Sequence, residues 1–120
     1  MNLRVLHAGV GSVCVAAGAA LVLSGGWAAA TRSAPAIRLV LLVRRVALIA
    51  AGLAVFMGFI LLAQGRRPHV PLHYLYAAFA LAAVPLASTM AARQPRRGGL
   101  YHAGAGVLLL LMCFRLATTG

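Results

Sequence analysis

His7, His73 and His102 each stand near the end of a long apolar run, where an ionisable side chain is costly unless it has a task or a polar neighbour. His69, the remaining histidine, lies among loop residues and calls for no such account. A neutral imidazole offers one lone-pair nitrogen, and two of them on opposite sides of a flat macrocycle form the axial ligand set of a heme iron. His7 is followed by Gly11, Cys14 and Gly18 at steps of four, three and four, and His73 by Ala77, Ala80 and Val84 at the same steps. On helices, this spacing places each histidine at the head of a face of small residues, so that two such faces could admit a porphyrin. The expected metal ligands are therefore His7 and His73, on the first and third helices, with heme b as the cofactor. Arg4, Arg66, Arg67 and Arg115 would be cations for its propionates.

Packing offers a competing account of the same residues. Helices in lipid associate through glycine and alanine with or without a cofactor, and a histidine near the interface can meet headgroups or cap a loop. His102 heads a similar face, Gly106, Leu109 and Cys113, but has no histidine partner at its depth. Met90 is the one nearby soft ligand. Otherwise His102 is expected to hydrogen-bond Ser88 or Thr89, or to meet lipid. Cys14 and Cys113 lie inside apolar runs; two cysteines define no disulfide framework, and an open catalytic metal is not expected at such depth.

The elements that must carry these residues follow from composition. The chain has 120 residues, 63% of them hydrophobic, a mean hydropathy of +0.98 and only 9% charged residues, where soluble domains carry roughly a quarter. All 11 charged side chains are arginines, with no acidic residue, so any counter-ion must come from outside the side chains. Lipid phosphates, heme propionates or an acidic surface on a neighbouring subunit would serve. Nucleic acid is not expected, because the arginines lie between apolar runs and not on a soluble, aromatic-studded face.

Four runs, at about residues 6–23, 46–63, 72–92 and 100–117, are each long enough for a helix to cross ~30 Å of hydrocarbon. The fold expected is all-α, an integral membrane four-helix bundle forming one domain over residues 1–120. Strands are not expected, since an open sheet cannot satisfy its backbone in lipid. Glycine, proline and arginine punctuate the connections: Gly25 to Pro35, Gln64 to Pro71 and Arg93 to Gly99. Arg38, Arg44 and Arg45 could belong to an interfacial helix leading into the second run, or the run itself could extend back to Ile37. Trp27, Tyr74, Tyr76 and Tyr101 fall near run ends, as an interfacial aromatic belt requires.

The arginines also set an expected orientation in a bacterial cytoplasmic membrane. The first and third connections hold seven of them, and the N-terminus, second connection and C-terminus hold four, so both termini should face outward. Arg4, the first apolar run and Ala28-Ala29-Ala30 also have the three parts of a secretory signal, but the run is longer than most signal cores and is read as a span. Leu6-His7 and Leu72-His73 open the first and third helices alike, suggesting two similar helical hairpins.

Proton-coupled transport by the small multidrug resistance mechanism is excluded, because it depends on a membrane-embedded glutamate. Hydrolytic chemistry lacks an acid, a Ser/His/Asp arrangement and a phosphate-cradling loop, so the isolated chain is not expected to be an enzyme.

Histidines at the ends of the first and third helices, a further one at His102, glycine-rich faces and arginines at the rim resemble the small b-type cytochrome bundles of bacterial membranes, including the four-helix halves of heme A synthase. Ligands in those families often sit on the second and fourth helices. The resemblance implies a heme-b protein of electron transfer. The alternative expectation is a cofactor-free accessory or assembly subunit that binds a larger membrane complex, a second copy of itself or anionic lipid through small-residue faces and arginine-rich loops.

Overall fold

The computed structural model describes residues 2–120. Four α-helices account for nearly all of it: α1 (Leu3–Thr31), α2 (Ala34–Ala63), α3 (Leu72–Arg93) and α4 (Gly98–Thr119), with a short 3-10 turn at Pro95–Arg97. No strand occurs among the described residues. The helices run antiparallel in sequence, so both termini and the 64–71 connection share one end, called here the terminal end. Arg32–Ser33 and Gln94–Arg97 form the opposite, loop end.

The largest apolar side chains are outside. All four phenylalanines, Phe56, Phe59, Phe79 and Phe114, are exposed, as are Leu23 and Leu86. The interior is instead built mostly from alanine, glycine, cysteine and valine, with Leu21 and Leu109 as its two fully buried large residues. This arrangement would be unstable in water and is natural in lipid, where the tails solvate large apolar groups and small residues let backbones approach. Each of the four helices is long and apolar enough to span a bilayer. The chain is a multi-pass membrane protein with an all-α four-helix bundle.

α1 and α2 are longer than their apolar runs. Gly25 and Gly26 do not break α1, because Gly25 lies against α4: a Cβ there would be 2.6 Å from the Gly99 carbonyl oxygen and 2.7 Å from the Ala103 nitrogen. The chain reverses only at Arg32, whose left-handed backbone (φ 50) ends α1 while its N–H bonds the Ala28 carbonyl. Pro35 lies in the first turn of α2, where its missing N–H has no intrahelical partner to lose. Arg38, Arg44 and Arg45 therefore belong to one continuous helix and not to a separate interfacial segment. α3 accommodates Pro85 in its interior.

α1 packs closely against both α2 and α4, and α4 against α3; the seam between α2 and α3 is slighter, and α1 and α3 are diagonal. The α1–α4 contact is the tightest, with Gly18 facing Gly106 and Gly25 facing Gly99. Each half of the chain is an antiparallel hairpin, of 29 and 30 residues in the first and 22 and 22 in the second.

Candidate histidine site at the terminal end

The antiparallel order of the helices carries His7 and His73 to the same end, on diagonal helices, as their positions in the first and third runs require. Each is partly buried.

His73 opens α3 and is held by the last turn of α4. Its Nδ1 lies 3.2 Å from Thr119 Oγ1, and that hydroxyl donates its own hydrogen to the Arg115 carbonyl at 2.7 Å. With its proton committed, Thr119 can only accept. Nδ1 of His73 must then be the protonated nitrogen, leaving Nε2 with the lone pair in the neutral ring. A backbone or side-chain acceptor on the distal nitrogen is the arrangement that orients a ligating histidine.

His7 faces α2. Its Cε1 lies 3.7 Å from the position a Cβ on Gly58 would take, so the ring rests on a glycine of the last two turns of α2. Its Nδ1 is buried and has no hydrogen-bond partner. A buried polar atom left unpaired is costly, and in a folded protein it calls for a ligand, a water or a moving neighbour.

The deeper slot expected for a porphyrin is filled. Gly18 packs on Gly106 and the Leu110 side chain, while Cys14, Ala80 and Val84 join Leu109 and Cys113 in the closed core. Val10, Ala54, Met112 and Leu116 cover that core toward the terminal end. Only the histidines and the residues at their own level remain for a cofactor there. Two neutral imidazoles are the donor set that a low-spin heme iron takes, so the side chains fit at the ligand atoms and at the terminal end alone.

Arg4, Arg66, Arg67 and Arg115 are all exposed around this end, Arg115 on α4 one turn before Thr119. His69 is exposed in the connection between α2 and α3.

His102 lies at the other end, 4% exposed between α4 and the rest of the bundle. Its Nδ1 is 2.8 Å from the Gly98 carbonyl oxygen, not from Ser88 or Thr89, whose hydroxyls donate to Val84 and Pro85 carbonyls of their own helix. Met90 is 41% exposed, on the outside of α3, so the structure does not join it to the buried His102 as a ligand pair. No group of three or more metal-ligating side chains occurs among the described residues.

Two relationships were not readable from spacing. Cys14 and Cys113 come together in the core, one from α1 and one from α4. Arg44 reaches across the slight α2–α3 seam to donate to Ser88 Oγ at 3.4 Å. The Gly18–Gly106 register, once known, brings both cysteines to similar depth, but only the fold supplies that register. No family model, curated protein or solved structure matches the chain.

Proposed function

We propose that this is a small heme-b-binding membrane protein of electron transfer, with His7 and His73 as axial ligands at the terminal end. The observation that carries the reading is the pair itself: two histidines on diagonal helices, at one end, each with a ring nitrogen that the fold does not use. When bound, heme would supply a one-electron couple within the bilayer. Thr119 orients His73 through Nδ1, and the His7 ring lies against α2 at Gly58. The exposed Arg4, Arg66, Arg67 and Arg115 would meet the propionates.

With the core covered, a heme would sit at the terminal end, and α2–α3 is the most sparsely packed seam between neighbouring helices through which it could enter. The proposed setting is a bacterial cytoplasmic membrane with this end outward, on the arginine count above. Replacing either histidine by alanine should abolish heme retention; retention by both variants would sink the proposal.

A second reading is favoured by a different observation. Gly9, Gly26, Gly52 and Gly104 have open space where a Cβ would be, so internal packing does not require them. Outward glycines suit close approach by another membrane helix. A cofactor-free accessory subunit would use them, and recovery of a stoichiometric partner in mild detergent with no heme would establish it.

A further inference from the structure

We propose that Arg44 and His102 form a second, independent site at the loop end of the bundle, which binds a phosphate-class oxyanion together with one proton. The site lies at the opposite end from His7 and His73 and does not rest on the heme reading.

Its first element is a cation inside the bundle. Arg44 is partly buried on α2 and reaches inward to Ser88 of α3, whereas Arg45 beside it is exposed. Ser88 uses its own hydrogen on the Val84 carbonyl at 2.8 Å, so it can only accept, and it holds the guanidinium in place without neutralising it. No acidic side chain exists anywhere in the sequence to do so. A guanidinium held at membrane depth calls for an anion.

The second element is an unused nitrogen. His102 is 4% exposed, and its Nδ1 bonds the Gly98 carbonyl, an acceptor, so Nδ1 carries a proton. Nε2 is buried and has no partner. It carries a lone pair in the neutral ring and an N–H in the cation. Ala87, beside Ser88, and Tyr101, beside His102, pack in one small cluster, which brings the Arg44–Ser88 pair and His102 to the same level of the bundle. Between the two groups an oxyanion would receive N–H bonds from both sides, provided Nε2 takes up a proton as the anion enters. That proton is drawn from the buffer acid of the surrounding solution through water at the rim: one N–H bond forms at Nε2, and the donor keeps the electron pair of its broken bond to hydrogen as the conjugate base.

No other titratable side chain competes. α1 carries none between Cys14 and Arg32, and α3 none between Tyr76 and the exposed Arg93; α2 contributes Arg44. Tyr101, next to His102, is engaged with Gln94 Oε1 at 2.8 Å.

Depth and access agree with such a ligand. Ser88 is five residues from the end of α3 and His102 four residues from the start of α4, about 6–8 Å inside the ends of those two helices, while Arg44 reaches this level from ten residues, or about 15 Å, inside α2. A phosphate at the shorter α3 and α4 ends has only about that 6–8 Å to travel. The α2–α3 seam that Arg44 crosses is the most sparsely packed between neighbouring helices, and Arg45, Arg93, Arg96 and Arg97 are exposed at this end to gather anions. The shared chemistry is a phosphate oxygen, from a phospholipid headgroup or from free phosphate.

The test uses the full chain in phosphatidylcholine nanodiscs. One arm titrates inorganic phosphate; the other exchanges in phosphatidylglycerol and measures the lipid retained after mild extraction by native mass spectrometry. Arg44→Gln should weaken binding about tenfold or more, as loss of a charged hydrogen-bond donor does, and exposed Arg45→Gln about twofold or less. Wild-type binding should weaken as pH rises, and His102→Gln, which supplies an N–H that does not titrate, should flatten that dependence. Phosphatidylglycerol retention that phosphate cannot displace identifies the lipid as source, and phosphate binding without lipid preference identifies the free anion. Arg44→Lys, which keeps the charge, should retain part of the binding and guards against a folding defect in the glutamine variant. Binding of neither ligand, equal losses from Arg44→Gln and Arg45→Gln, or an unchanged pH profile in His102→Gln would overturn the site. Heme retention, if present, should be unaffected by Arg44→Gln.

Discussion

Gly106 of α4 meets Gly18 of α1 so closely that a Cβ at position 106 would lie 2.6 Å from the Gly18 carbonyl oxygen and 2.8 Å from the Val22 nitrogen. Backbone faces backbone at this crossing, so no side-chain rotation can relieve an added methyl. Gly106→Ala should destabilise the bundle by about 1–3 kcal/mol, as overpacking does in a filled core. Gly104→Ala, two residues away with nothing within 4 Å, should be neutral or stabilise by up to about 1 kcal/mol through helix propensity. Thermal unfolding in one detergent compares the two, and equal effects would contradict the crossing.

Ligation predicts a particular set of histidine phenotypes. His7→Ala and His73→Ala should each lose heme, while His69→Ala, exposed in the connecting loop, should keep it. Heme per polypeptide after purification from heme-supplemented cells measures this directly. Loss in His69→Ala alone would place the iron elsewhere.

Among the described residues, Thr119 bonds His73 and no other histidine. Thr119→Val keeps the shape and removes the acceptor. It should weaken heme affinity about 10- to 100-fold, the range for loss of a partner behind a ligating histidine, while leaving the helical content unchanged. Competition with apomyoglobin reads the affinity, and wild-type retention in the variant would show that His73 needs no such support.

The proposed orientation is testable with single cysteines in a Cys14→Ala, Cys113→Ala background, since both native thiols are buried. His69→Cys should react with a membrane-impermeant maleimide in intact cells, and Gln94→Cys only after permeabilisation. The reverse pattern would invert the bundle.

The spans were legible because length and hydropathy report directly on what lipid solvates, and the placement of His7 and His73 at one end followed from four antiparallel crossings, while their diagonal arrangement is set by the packing of α1 on α2 and α4. The true ends of α1 and α2 were not. Gly25 and Gly26 look like a break in sequence, yet Gly25 is there to let Gly99 and Ala103 approach, a demand set by α4 and invisible locally. Arg44 and Arg45 look like a boundary, yet the backbone stays helical because charge at membrane depth can be met through the side chain without unwinding. The stripe Gly11, Cys14 and Gly18 illustrates the ambiguity of small residues: Gly11 has open space beside it, Cys14 is in the core, and Gly18 serves the α1–α4 crossing. Spacing placed the three on one face without saying what that face meets. The partners of His102 were likewise misjudged, because its own helix supplied an acceptor at Gly98 before Ser88 or Thr89 could.

The central claim is most directly tested by the absorption spectrum of the detergent-purified full chain, oxidised and then dithionite-reduced, with heme supplied during expression. A sharp reduced α-band with a matching Soret shift, present in the wild type and absent from His7→Ala and His73→Ala, is the predicted result. A folded helical protein with no heme band, or a band that survives in both variants, would contradict it.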